Sequence, residues 1–258
     1  MATPEAAANP AAVDPAVAAR AEEARALDAR WGGLPTHDLL DTAIHTLFAG
    51  EIALVSSFGT ESAVLLHLVA AVDRSVPILF VDTDKLFGET LRYRDKLVAR
   101  LGFTDVRTLT PDPVRVEALD KDGGLWLRNP DLCCQIRKVE PLALGIDGFS
   151  AWISGRKRFQ AATRAAIPVF ETDGTRIKVN PLASWGPKEL AAYAAEHDLP
   201  VHPLVAQGYP SVGCMPCTDR VAPGEDARAG RWRGQAKTEC GIHVSLTSAV
   251  PTAPDGAH

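Results

Sequence analysis

A doubly wound α/β fold, a mostly parallel sheet with helices on both faces, is predicted by two features of the sequence. From about residue 40 onward, short apolar runs with strand character alternate with helical-period stretches, and turn or cap residues separate them. The length of 258 residues is also enough for one such domain with a tail. Residues 51–56 read as a buried strand and 60–72 as the helix after it. Residues 77–82 form a second strand, followed by a helix over about 88–101. Strands are further expected at 105–109, 151–154 and 176–180, and a helix opened by Pro187 at 187–197. No internal repeat is present. From about residue 203 periodicity fades, and Gly, Pro, Arg and the last three cysteines dominate a loop-rich C-terminal tail. Upstream, the Ala-rich stretch up to about residue 15 reads as a flexible lead-in, and 16–29 as a surface helix. The chain is thus divided into a flexible Ala-rich segment (1–34), the α/β domain (35–205) and the C-terminal segment (206–258).

Composition removes several classes of function. Apolar residues at 46% and charged residues at 23% are ordinary globular values, so disorder throughout and low-complexity fibres are excluded. Lys and Arg total 27 against 32 Asp and Glu, a net charge of −5, which argues against a binder of polymeric nucleic acid. The longest nearly apolar run, residues 63–72, carries His67 and is too short to span a bilayer. No Lys or Arg precedes Arg20 and no apolar core follows it, so a secretory signal is not expected; Glu5, Asp14, Glu22 and Glu23 argue against a transit peptide. The expected location is a reducing cytoplasm, where five cysteines do not make a disulfide framework. They fall as Cys133-Cys134, Cys214-x-x-Cys217 and a lone Cys240.

The loop after the first strand contains Ser57, Phe58, Gly59, Thr60, Glu61 and Ser62. Ligands of open α/β sheets bind at the carboxyl ends of strands, and hydroxyls beside free helix N–H groups suit a phosphate-like anion. A tight turn with an N-cap explains the same residues equally well. Here a resemblance enters: Ser57-Phe58-Gly59-x-Glu61-Ser62 resembles the modified PP-loop of the adenylylsulfate and phosphoadenylylsulfate reductases. They are relatives of the ATP pyrophosphatases, with the adenine-nucleotide alpha-hydrolase fold. Val81-Asp82-Thr83 resembles the family's next nucleotide segment, with Asp84 where Gly is usual.

Four thiols, Cys133, Cys134, Cys214 and Cys217, suit zinc, an iron–sulfur cluster or two inert pairs. Neighbouring side chains diverge, so vicinal cysteines serve the separated irons of a cubane better than one small ion. The Cys133-Cys134-x-x-Arg137-Lys138-x-x-Pro141-Leu142 and Gly213-Cys214-x-x-Cys217-Thr218 motifs resemble the 4Fe–4S, adenylylsulfate-using branch of the family.

A lone cysteine near a C-terminus is commonly incidental, but Glu239-Cys240-Gly241-Ile242-His243 resembles the family signature in which Cys is the nucleophile. Arg228, Arg231 and Arg233 would favour its thiolate and Glu239 would oppose it. Gly155-Arg156-Lys157-Arg158-Phe159-Gln160 with Arg164 is by default a solvated charge run. It also resembles a family motif whose Gly and last Arg hold the nucleotide, which maps onto Gly155 and Arg164. Lys138, Arg228 and Arg231 match the cations on the sulfate side, with Lys138 placed to couple cluster and substrate.

The resemblance spans about residues 40–243. It implies thioredoxin-dependent reduction of adenylylsulfate to sulfite and AMP in assimilatory sulfate reduction, through an S-sulfocysteine at Cys240. The expected partners are adenylylsulfate, a thioredoxin- or glutaredoxin-like dithiol protein and further copies of the chain in a homo-oligomer, without membrane or polymeric nucleic acid. The rivals are a phosphoadenylylsulfate reductase, a PP-loop tRNA-thiolating enzyme, whose Ser-Gly-Gly-x-Asp-Ser loop and basic surface are missing, and a non-catalytic metal-binding module. His37, His45 and His67 read as surface or satisfied core residues, and Trp126, Trp152 and Trp185 as packing.

Overall fold

The computed structural model describes residues 14–235, 237 and 239–243; the expected flexible lead-in lies mostly outside them. Helix α1 (Pro15–Trp31) is capped by Asp14, and α2 (Thr36–Asp41) runs into a wide turn, Thr42–Leu47. Strand β1 (Ile52–Val55) is followed by α3 (Ser62–Val72), and β2 (Ile78–Val81) by α4 (Gly88–Leu101). In α4 the residues Thr90, Tyr93, Leu97 and Leu101 are buried at helical spacing, and Gly102 ends the helix at φ +73°. Strand β3 (Val106–Leu109) comes next.

Four short helices then occupy a stretch for which the sequence predicted no elements: α5 (Pro113–Leu119), α6 (Leu125–Arg128), α7 (Pro130–Cys134) and, after the wide turn Gln135–Val139, α8 (Glu140–Gly145). Each is too short to show a period, but its starts are written locally. Asp112 and Asn129 accept hydrogen bonds from the Val114 and Leu132 amides at 2.8 and 3.0 Å, with Pro next in each case. The group is tied together by a buried ion pair, in which Arg137 donates to Asp120 at 2.8 and 3.0 Å and to the Thr83 carbonyl at 2.9 Å.

Strands β4 (Ala151–Ile153), β5 (Phe170–Thr172) and β6 (Ile177–Val179) and helix α9 (Pro187–Glu196) complete the domain. The sheet order is β3-β2-β1-β4-β6-β5. All pairings are parallel except β5 with β6, in which Phe170 faces Val179. Chain direction across the sheet reverses at β1, so a crevice opens where β1 and β4 end. Strand β5 was not expected, and neither was its cover. Helix α1 lies against it, with Ala24 buried and Asp28 accepting from the Phe170 amide at 2.9 Å. Helix α1 thus packs on the sheet and covers the β5 edge, which would otherwise expose unpaired amides.

Beyond α9 the described residues form turns and short 3-10 segments; one isolated bridge, Leu86 with Cys214, ties them to the loop after β2, and another, Thr218 with Arg231, closes the segment on itself. Among the described residues no helix is long and apolar enough to cross a membrane.

Candidate active site

One large pocket opens over the carboxyl ends of β1, β2 and β4. Ser57, Gly59, Thr60, Glu61 and Ser62 form its floor, Val81 and Gly155 its walls. The strained position of the loop is Phe58, at φ +47°, rather than Gly59. Phe58 is fully buried and sits edge-on to Phe80 at 5.4 Å, while its amide donates to Ser56 Oγ at 3.2 Å. The Phe58 side chain thus packs into the core beside the loop rather than into the pocket. Asp84, the departure from the family's Gly, has φ +59°, and its amide donates to Asp82 Oδ1 at 3.1 Å. The left-handed turn is kept, because Asp is among the few residues that tolerate it and Asp82 braces it.

Glu61 is held from the opposite wall by Lys157 Nζ at 2.8 Å and Gln160 Nε2 at 2.7 Å. Gln160 Oε1 in turn accepts from Arg164 at 2.6 Å, and Arg164 grips both carboxylate oxygens of Glu239 at 2.7 Å. Arg228 approaches the same carboxylate at 3.8 Å. Burial would raise the Glu239 carboxyl, but the Arg164 and Arg228 guanidinium groups hold it below its usual range. Cys240 therefore lies in the pocket beside Arg164, Arg228, Arg231 and Lys138. Arg233 does not join them; it pairs with Glu225 at 2.9 Å.

Arg231 lies across the Gly213 backbone, where any Cβ would collide with its guanidinium group. Its Nε is buried without a hydrogen-bond partner, as is that of Arg156, which also lines the pocket. With Lys138, Lys157, Arg164 and Arg228 on the same pocket, the lining is rich in cations and suits an anion.

A second, small cavity is lined by Cys133, Cys134, Cys214 and Cys217. Cys133 and Cys134 end α7, and Cys214 and Cys217 flank a tight turn docked on Lys85 through Met215 N at 2.7 Å. Burial pushes the Cys133 thiol up to about 11 and that of Cys134 to about 12. Cys214 differs: burial would raise it, but Lys138, Thr83 Oγ1 at 3.2 Å and Arg231 bring it down. Burial likewise disfavours the Lys138 ammonium, and negative charge on the sulfurs of Cys214, Cys240 and Cys134 outweighs this and raises it. Lys138 lines both cavities. Among the described residues no group of three or more His, Cys, Asp or Glu is arranged to hold a metal ion. Four sulfurs round one cavity form a donor set that fits a sulfur-ligated cluster.

Sequence reasoning did not assign Lys157 or Gln160 to the Glu61 clasp, nor Glu239 to Arg164, 75 residues away. The motif run contained all of them, but nothing in it specified the partners.

Fold and pocket together define a PP-loop-type nucleotide-binding protein with a thiol presented among cations. Residues 51–220 match the family model described as the phosphoadenosine phosphosulfate reductase domain, and the chain belongs to that family. It is 54% identical over 219 residues, 85% of this chain and 86% of the other, to the adenosine 5'-phosphosulfate reductase of Mesorhizobium japonicum. With the protein of that name from a Chelativorans strain it shares 51% over 228 residues, 88% and 93% of the two chains. Among solved structures it is similar to the phosphoadenylyl-sulfate reductase of Candida auris in its phosphate complex. The TM-score is 0.65 at 26% identity, covering 78% of this chain and 97% of that one.

Proposed function

We propose that the chain reduces adenylylsulfate to sulfite and AMP, with a dithiol protein of the thioredoxin or glutaredoxin kind as reductant, in cytoplasmic sulfate assimilation. The observation that carries this reading is the meeting of Cys240 with the Ser57–Ser62 loop and six cations, Lys138, Arg156, Lys157, Arg164, Arg228 and Arg231, in one pocket. Ser57, Thr60 and Ser62, with the walls at Val81 and Gly155, receive the nucleotide, and Arg164 its charge. Lys138, Arg228 and Arg231 face the sulfate and steady the leaving phosphate.

The Cys240 thiolate attacks the sulfate sulfur; an S–S bond forms, the S–O bond to AMP breaks, and AMP leaves with the electron pair. A partner thiolate then attacks Cys240 Sγ, releasing sulfite and leaving a mixed disulfide. The partner's second thiol resolves it, restoring Cys240 and leaving the partner oxidised by two electrons. Cys133, Cys134, Cys214 and Cys217 would hold a 4Fe–4S cluster, which supplies a fixed charge distribution beside Lys138 rather than a path for electrons. Lys138 carries that influence to the substrate, since it borders both cavities.

The experiment is intact-protein mass spectrometry with peptide mapping. Incubation with adenylylsulfate should add one SO₃ to the Cys240 peptide, and reduced thioredoxin should discharge it as sulfite. An adduct on another cysteine refutes the mechanism. Faster turnover of the 3′-phosphorylated nucleotide at equal concentration would move the substrate to phosphoadenylylsulfate. Zinc in place of iron after anaerobic purification would remove the cluster.

A further inference from the structure

A single side-chain amide joins the Ser57–Ser62 loop to the cysteine tail. Gln160 lies in the short turn after β4, half-buried on the pocket wall. Its Nε2 donates to Glu61 Oε2 at 2.7 Å, and its Oε1 accepts from Arg164 Nη1 at 2.6 Å and from the Lys157 amide at 3.2 Å. A carboxylate on one side and two N–H donors on the other leave the amide one orientation. Turned over, it would set oxygen against oxygen and N–H against N–H. A carboxylate in its place would repel Glu61, and a lysine would repel Arg164.

Arg164 carries the connection onward. Its side chain is buried, and with Nη1 on Gln160 the Nε and Nη2 groups form a fork on Glu239, both at 2.7 Å. Gln160 and Arg164 are four residues apart, yet no helix sets their spacing: Ala161 is extended at φ −164° and ψ 153°, and Ala162–Arg164 is a separate turn. The side-chain contact therefore supplies the register that the backbone does not. An arginine has several free torsions, so a fork aimed in one direction needs its remaining nitrogen fixed. Glu239 is poorly suited to that task, because it is the anion that a phosphate on Arg164 would replace.

We propose that Gln160 is the positioning residue for Arg164: by holding Nη1 it keeps the Nε–Nη2 fork turned into the pocket, whether the fork grips Glu239 or the phosphate of a nucleotide. Through Nε2 it also ties that fork to the loop at Glu61. The phosphate half of this statement rests on the reading of Arg164 given above; the Glu239 half does not, and is scored without any ligand.

The test uses full-length Gln160→Met, Gln160→Glu, Arg164→Met and the double variant of Gln160→Met with Arg164→Met. AMP and adenosine are titrated into each by calorimetry, and alkylation of Cys240 by iodoacetamide in the protein alone is read by peptide mapping. Gln160→Met should weaken AMP by about tenfold and leave adenosine within about twofold, since only the phosphate uses Arg164. It should also speed alkylation by about fivefold, because the grip on Glu239, next to the thiol, is loosened. Added to Arg164→Met, it should change neither quantity by more than about twofold, because its effect runs through Arg164. Gln160→Glu, which keeps an oxygen for Nη1, should hold alkylation within about twofold of wild type. Additive losses in the double variant overturn the proposal, as does unchanged alkylation in Gln160→Met. Equal losses of AMP and adenosine overturn it too, since they would mark a general collapse of the wall. Wild type that binds AMP no better than adenosine refutes the phosphate reading of Arg164, and the alkylation rates then decide the Gln160 contact by themselves.

Discussion

Between β1 and α9 the pocket's floor is held by burial: Ile52, Ala53 and Leu54 of β1 and all of β4 are covered on both faces. Among the described residues from 203 onward, the buried apolar side chains are Leu204, Val212, Cys214 and Trp232, and ion pairs, turns and isolated bridges do the rest. One half of the pocket is rigid because its atoms have nowhere to go. The other is held by contacts that exchange readily with water or a ligand. The thiol sits on the second kind of support, which is where a group that must meet both a small molecule and another protein is best placed.

The widest separation of the two halves should come from Cys240→Ser. Sulfite formation should fall by at least about a thousandfold, since a serine hydroxyl is a far weaker nucleophile than a thiolate. The urea unfolding free energy should stay within about 0.5 kcal/mol, because no core packing is lost. A comparable loss of stability would show that the tail belongs to the folding unit.

Asp120→Ala should do the reverse in kind. It leaves Arg137, whose side chain is only 6% exposed, with the Thr83 carbonyl at 2.9 Å and Asp84 at 3.5 Å as partners, and should cost about 3 kcal/mol by urea denaturation. The double change Asp120→Leu with Arg137→Met should recover part of that loss, which a purely geometric role for the pair would not allow.

His202 lies at the junction of the two halves, within 3.2 Å of Thr90 Oγ1 and of the Leu204 amide. Burial lowers it from 6.5 to about 4, so on acidification the unfolded chain takes the proton first. Its contribution is complete above pH 6.5 and drains away as pH falls toward 4. His202→Gln should flatten that part of the stability profile; an unaltered slope would mean that other groups carry it. The smallest effect should be Asp84→Gly, within about 0.5 kcal/mol, whereas Asp84→Val should cost about 1–2 kcal/mol by the same measurement.

The rigid half was the legible half. Alternating periods gave five of the six strands within a residue or two: in β1, β2 and β4 burial leaves an apolar run, whereas β3, with Arg107 and Thr108 exposed, and β6, with Lys178 at its centre, show only short stretches of strand character. Strand β5 is three residues long and lies on an edge, so no such run exists. The region from α5 to α8 is held by Asp120–Arg137 and by side-chain caps, pairings between particular residues that no period records. The burial of the Phe58 side chain was not legible for a related reason: the motif that carries it records the loop and not the packing beneath it. The motifs brought the cysteines, Arg164, Arg228 and Arg231 to notice, yet the clasp of Glu239 by Arg164 joins residues that only the folded chain brings together.

That clasp has a consequence for how a nucleotide enters. Arg164 is already neutralised by a carboxylate of the chain itself, so an arriving phosphate works as in an ion exchanger, displacing one anion with another. Little net charge is gained, and affinity should therefore depend less on ionic strength than the pocket's six cations would suggest. Glu239 is adjacent to Cys240 in the chain, so where a nucleotide takes Arg164 the carboxylate beside the thiol would be released in the same exchange.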